Sequence, residues 1–217
     1  MNFSIYLKFF LFAVLLVLLS TVGFNRLIDP YALYGDPTIE GVNANKPAFS
    51  SHAYMAKATA VTVAPPTTIF LGSSRGERGM DPLHPALSGD KRYNLSLSGS
   101  SIYEALRYFQ HSHATESLKQ VVLGLGLRQF KHADQVSPSF TEERLSVSAE
   151  GATQNRSWLP ADLAVIASLD SIAASIETLW KQDETPHLLL HGEYNPQRLI
   201  EDMTNHRADF LSNEKSY

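Results

Sequence analysis

The sequence contains no cysteine, which excludes disulfides and thiolate metal sites and leaves the redox compartment open. It has no excess of basic residues either. Eighteen Lys and Arg stand against 22 Asp and Glu, a net charge of −4, and no basic stripe is present, so a nucleic-acid partner is not expected. Charge is absent altogether from Phe9 to Asn25, and no internal repeat is found anywhere. What remains is ordinary for a folded chain: 44% apolar and 18% charged residues in a length of 217, room for one domain and a terminal segment.

The uncharged stretch is the clearest physical signal. Phe9 to Leu19 is nearly pure apolar surface. As a helix, Phe9–Asn25 covers roughly 25 Å, slightly short of a ~30 Å hydrocarbon core. Snorkelling of Lys8 adds Ile5, Tyr6 and Leu7 and brings the span to about 20 residues. Lys8 and the α-amino group precede the run and favour a cytoplasmic N-terminus, against which Arg26 weighs. A cleaved signal peptide is the competing reading, but Thr21-Val22-Gly23 is a poor cleavage site and the run is long for a signal core. Either reading exports the residues after 25. The expected location is the inner (cytoplasmic) membrane, crossed once, with the remaining domain on the periplasmic or extracytoplasmic side.

Residues 25–50 are rich in turn formers (Asp29-Pro30, Gly35-Asp36-Pro37, Gly41, Lys46-Pro47) and read as linker and lead-in rather than core. Ser51–Ala60 suits a short helix with Tyr54, Met55 and Ala58 inward, stopped by Pro65-Pro66. This gives an anchor or signal at 1–25, a lead-in at 26–66 and a domain at 67–217. Three strands are expected in that domain: Thr67–Leu71, Arg92–Leu97 and Gln120–Leu125, the last an apolar run suited to a strand covered on both faces. Ser101-Ile-Tyr-Glu104 is a capping-box pattern, and Ile102, Leu106 and Phe109 follow at helical spacing. Strand, helix and strand make a βαβ unit. A second amphipathic helix is expected from about Pro160 to Lys181, with Leu163, Ile166, Ala173, Ile176 and Leu179–Trp180 on its core side. Residues 131–158 read as an extended loop.

The candidate chemistry sits at the carboxyl end of the first strand, where parallel α/β sheets form their ligand crevice. Gly72-Ser73-Ser74-Arg75 is a tight turn whose backbone N–H groups can face an anion. The second strand ends in Ser98-Gly99-Ser100-Ser101, just before the capped helix. A second glycine N–H and a helix N-terminus are thereby placed at the same edge, a plausible oxyanion site.

Ile69-Phe-Leu-Gly-Ser-Ser-Arg75, followed by Tyr93-Asn-Leu-Ser-Leu-Ser-Gly99, resembles the first two blocks of the SGNH/GDSL hydrolase superfamily. With Gly79-Met-Asp-Pro82, His84-Pro85, Ile102-Tyr103-Glu104 and Lys119–Gly124, residues 24–130 look like membrane-anchored bacterial proteins of this type. The resemblance implies an α/β fold: a three-layer SGNH-like (flavodoxin-like) parallel sheet with flanking helices, preceded by the N-terminal transmembrane helix. It implies Ser74 as nucleophile, the N–H groups of Ser74 and Gly99 at the oxyanion site, and an envelope polysaccharide or other acyl ester as substrate.

Two departures stand against it. The third block normally supplies a side-chain donor, and here Gly124-Leu-Gly-Leu-Arg128 offers Gly126 or its neighbours. The family's Asp-x-x-His pair is not found: Asp81-Pro-Leu-His84 has the letters in the wrong topological position, and Asp202-Met-Thr-Asn-His206 has one residue too many. The domain therefore reads as truncated or degenerate, and a non-catalytic envelope binding or assembly protein is the alternative. Arg75 is a candidate ligand for an acidic group or a partner in a salt bridge, and Asn94 a candidate support for the Ser74 loop. No cofactor or metal is expected: His111 and His113, two apart on a helix, face different sides, and His187 and His191 lack a completing carboxylate.

Overall fold

The computed structural model describes residues 3–87, 89, 91–131, 135–154, 159–189 and 191–205. The chain opens with helix α1, Phe3–Ile28. α1 is long and apolar enough to span a membrane, and its most apolar window is entirely unburied by the rest of the molecule. Only its last two turns pack inward, where Asn25 and Ile28 are buried.

A 3-10 turn, Pro47–His52, leads into α2, Ala53–Val63, and the chain then enters the sheet. Strand β1 is Thr68–Gly72, followed by the short helix α3, Ser74–Gly79, and strand β2, Arg92–Asn94. Helix α4, Ile102–Thr115, carries the expected capping box: the Ser101 hydroxyl accepts from Glu104 N–H and the Glu104 carboxylate accepts from Ser101 N–H. Strand β3, Gln120–Gly124, is followed by α5, Leu127–Lys131. The remaining helices are α6, Leu159–Ile166, α7, Leu169–Trp180, and α8, Pro196–Asn205. The result is a mixed α/β fold around a three-stranded parallel sheet of order β2-β1-β3.

β1 is central and buried along its whole length because both neighbours hydrogen-bond to it. Ile69 and Leu71 meet Tyr54, Ala58 and Val61 of α2, Leu95, Leu97, Tyr108 of α4 and Leu145 in the main core. A second cluster joins Tyr31, Leu33, Phe49, Ala56 and Ala174. It corrects the reading of residues 25–50 as linker rather than core. Asp29 receives the N–H of Leu33 at 2.7 Å, and the Asn43 carboxamide receives that of Ile39 at 2.6 Å. These side chains satisfy the backbone of an irregular segment and let it be buried.

Two further expectations do not hold. β3 is not covered on both faces: in register beside the buried Ile69 and Leu71, Val121 and Leu123 are 39% and 50% exposed. Among the described residues no helix lies over that flank. The amphipathic helix expected over 160–181 is broken at Ala167-Ser168, where the Ser168 hydroxyl accepts from Ser171 N–H and starts α7 afresh. The break shifts the helical phase. Of the expected core row, Ile166 is buried, whereas Leu163, Ile176, Leu179 and Trp180 are exposed. α7 instead buries Ser171, Ala174, Ser175 and Thr178.

Candidate functional site

β1 ends at Gly72, whose carbonyl accepts from Leu97 N–H at 3.0 Å and from the Ser100 hydroxyl at 2.9 Å. These two bonds tie the end of the first strand to the turn after the second. That turn is closed by Ser100 N–H donating to Leu97 carbonyl at 3.1 Å, with Gly99 at φ +80°. A positive φ at the third position is the type II requirement, which explains the glycine without any ligand. Ser101 then caps α4.

Ser73 precedes α3 in an extended conformation, its side chain making no cap bond, and Ser74 is the first helical residue, half-buried. Among the described residues no histidine or carboxylate is hydrogen-bonded to the Ser74 hydroxyl. Arg75 is exposed, with no ion pair among the described residues. Asn94 is fully buried below: its amide donates to the carbonyls of Gly76 at 3.0 Å and Met80 at 2.9 Å, and its oxygen accepts from Ser96 N–H. It therefore braces α3, the helix that Ser74 opens. Close approach accounts for Gly76, where a Cβ would stand 2.6 Å from the Ser96 hydroxyl.

The sequence reading missed a buried polar group beneath α3. Lys57 of α2, fully buried, donates to Glu77 at 3.1 Å and to the Ser96 carbonyl at 2.7 Å. Glu77 also accepts from the Ser98 hydroxyl at 2.5 Å. Burial lowers the Lys57 pKa from the ordinary lysine value, with Glu77 opposing the shift. Glu193 lies close by; burial raises its carboxyl above the usual range, and one of its oxygens has no hydrogen-bond partner. The sequence carried a signal for this group: Lys57 follows Tyr54 by three residues and precedes Val61 by four, the inward face of α2. Removing one member of such a buried pair costs about 3–5 kcal/mol.

Glu193 belongs to the turn His187–Asn195, in which Leu188 and Tyr194 form a bridge. This turn seats itself on β2 and α3: Asn94 N–H donates to His191 carbonyl at 2.7 Å, and Tyr194 N–H to Glu77 carbonyl at 3.1 Å. Most described histidines make internal contacts. His111 uses both ring nitrogens, toward Ala58 carbonyl and Ser146 N–H, each at 2.9 Å. His84 accepts from Ala86 N–H, and Asp81 from Leu83 N–H, so the Asp81–His84 stretch is a self-bonded turn. His113 is stacked on Phe109. His132 and His206, and with the latter the end of the Asp202–His206 stretch, lie outside the described residues. Gly126 N–H donates to the Gln129 side chain at 2.9 Å, within its own turn. No group of three or more potential metal ligands occurs among the described residues.

Set against models of protein families, curated proteins and solved structures, the chain matches none.

Proposed function

We propose that this chain is a membrane-anchored, SGNH-like protein of the cell envelope whose Ser73-Ser74 turn is an acyl-ester site. One observation carries the reading. The serine turn opens a helix at the carboxyl end of the central parallel strand, where it is bonded through Gly72 to the Gly99 turn. The strand order β2-β1-β3 is the one with which a flavodoxin-like sheet begins. α1 supplies the anchor, once through the inner membrane, and the domain stands on the extracytoplasmic side. There it meets acylated envelope polysaccharide and lipid esters.

In this reading the Ser74 hydroxyl oxygen adds to the ester carbonyl carbon while its proton passes to a general base, a histidine by the family resemblance. The N–H groups of Ser74 and Gly99 hold the oxyanion. Collapse expels the alcohol, which takes the proton, and water or a second alcohol then releases the acyl group. Ester cleavage by the full chain, with and without Ser74→Ala, tests it: loss of turnover is expected, and equal rates overturn it.

A second reading is favoured by a specific feature, the internal use of the histidines and of the charges beneath α3. Lys57, Glu77 and His111 are committed to holding the fold together, and Ser74 has no described base. A non-catalytic protein that binds or assembles envelope components through the same edge would be unaffected by Ser74→Ala in turnover but altered in binding.

A further inference from the structure

α7 has three distinct faces. Ser171, Ala174, Ser175 and Thr178 are buried. Asp170, Glu177 and Lys181, spaced seven and four apart, form one flank, with Glu177 and Lys181 ion-paired at 2.8 Å. Leu169, Ile172, Ala173, Ile176, Leu179 and Trp180 form a continuous apolar row opposite the buried face, and Leu169 and Trp180 are 81% and 82% exposed. A helix packed into a water-soluble domain normally turns such a row inward. Here the small hydroxyl face is inward, and the Ser175 hydroxyl donates to the Asn25 side chain of α1 at 2.8 Å. Small residues and a hydroxyl–amide bond are how helices pack in bilayers, where apolar surface faces lipid.

α7 is held beside the end of α1. Asn25 holds both the Ile166 carbonyl, at 2.7 Å, and Ser175. Farther along α7, the Lys181 carbonyl accepts from Asn45, and the neighbouring Lys46 ammonium donates to the carbonyls of Ile28 and Asp29, at the end of α1. Both sides of the Ala167-Ser168 corner are thus held at Asn25, in the last two turns of α1, and α6 is rooted in the domain through the buried Arg144–Asp162 ion pair.

We propose that α7 is an interfacial helix lying against the leaflet from which α1 emerges. Its apolar row is in contact with lipid, and Trp180 lies at headgroup level, where indoles concentrate. The acidic flank remains in water. The inference rests on α1 being the membrane anchor and adds a second point of attachment, so the domain is held at a set height and orientation rather than swinging on a tether.

The natural absence of cysteine makes the test direct. Single variants Leu16→Cys, Leu169→Cys, Ile176→Cys, Trp180→Cys and Leu106→Cys of the full chain are spin-labelled in phosphatidylglycerol–phosphatidylethanolamine vesicles. Each is read by accessibility to oxygen and to a water-soluble nickel complex. The expected result is preference for oxygen at Leu16, Leu169 and Ile176, a smaller shift the same way at Trp180, and preference for nickel at Leu106, an exposed leucine on α4. Nickel preference at Leu169 and Ile176 with oxygen preference at Leu16 overturns the inference and leaves the anchor standing. Nickel preference at Leu16 as well removes the anchor and the inference together. Broadening at Ile176 that disappears on dilution with unlabelled chain assigns the row to a second copy and also overturns it.

Discussion

α4 and α7 both start on a serine cap and carry apolar residues at helical spacing, and they use their faces oppositely. α4 buries Ala105 and Tyr108 together with Glu104, Arg107 and His111, and leaves Leu106 half exposed. Its polar groups are buried because each is satisfied. Glu104 accepts from Ser101 and Ser137 N–H, both at 2.7 Å, and Arg107 bonds Glu142 and the carbonyls of Val147 and Ser148. α7 buries Ser175 against α1, Ser171 against α6 and Ala174 in the Tyr31–Phe49 cluster, and presents its large apolar side chains outward. Periodicity thus identifies a helix and its faces, while the identity of the neighbour decides which face is covered.

That contrast can be broken by substitution, beginning where the effect is greatest. Tyr108→Ala empties the centre of the main core and strands the Tyr54 carbonyl, which the phenol bonds at 2.6 Å. It should cost about 3–5 kcal/mol in denaturant unfolding. Asn25→Ala removes the link of α1 to both α6 and α7, leaving Ile166 carbonyl and the Ser175 hydroxyl without it; about 1–3 kcal/mol is expected in the same assay. Ser175→Val tests the small face alone by widening it, and about 1–3 kcal/mol should be lost from overpacking and the missing bond. Leu169→Ser and Trp180→Ser on the outer row should leave unfolding in mild detergent within about 0.5 kcal/mol of the parent. A loss as large as that of Tyr108→Ala would mean that the row is covered by protein.

The same contrast explains how far the sequence could be read. The strand ending at Gly72, the capped helix after Gly99 and the apolar N-terminal helix were legible because each depends on local signals: β-branched residues, a serine–glutamate cap, an uncharged run. β3 was misread as covered because an apolar run reports what a strand could bury, not whether a helix arrives to bury it. Residues 25–50 were misread because turn formers such as Asp29 and Asn43 also satisfy a buried irregular backbone. Ser74 was singled out by the resemblance of Ile69–Arg75 to a family block, and the structure makes it the first residue of α3. The Lys57–Glu77–Ser98 group was missed because its members are distant in the chain and only the fold brings them together.

The serine turn as an acyl-ester site is tested most directly by exposing the membrane-inserted chain to a fluorophosphonate and mapping the modified peptide. The account predicts a label on Ser74, lost in Ser74→Ala and retained in Ser98→Ala. An unlabelled Ser74 in protein that still unfolds cooperatively would contradict it.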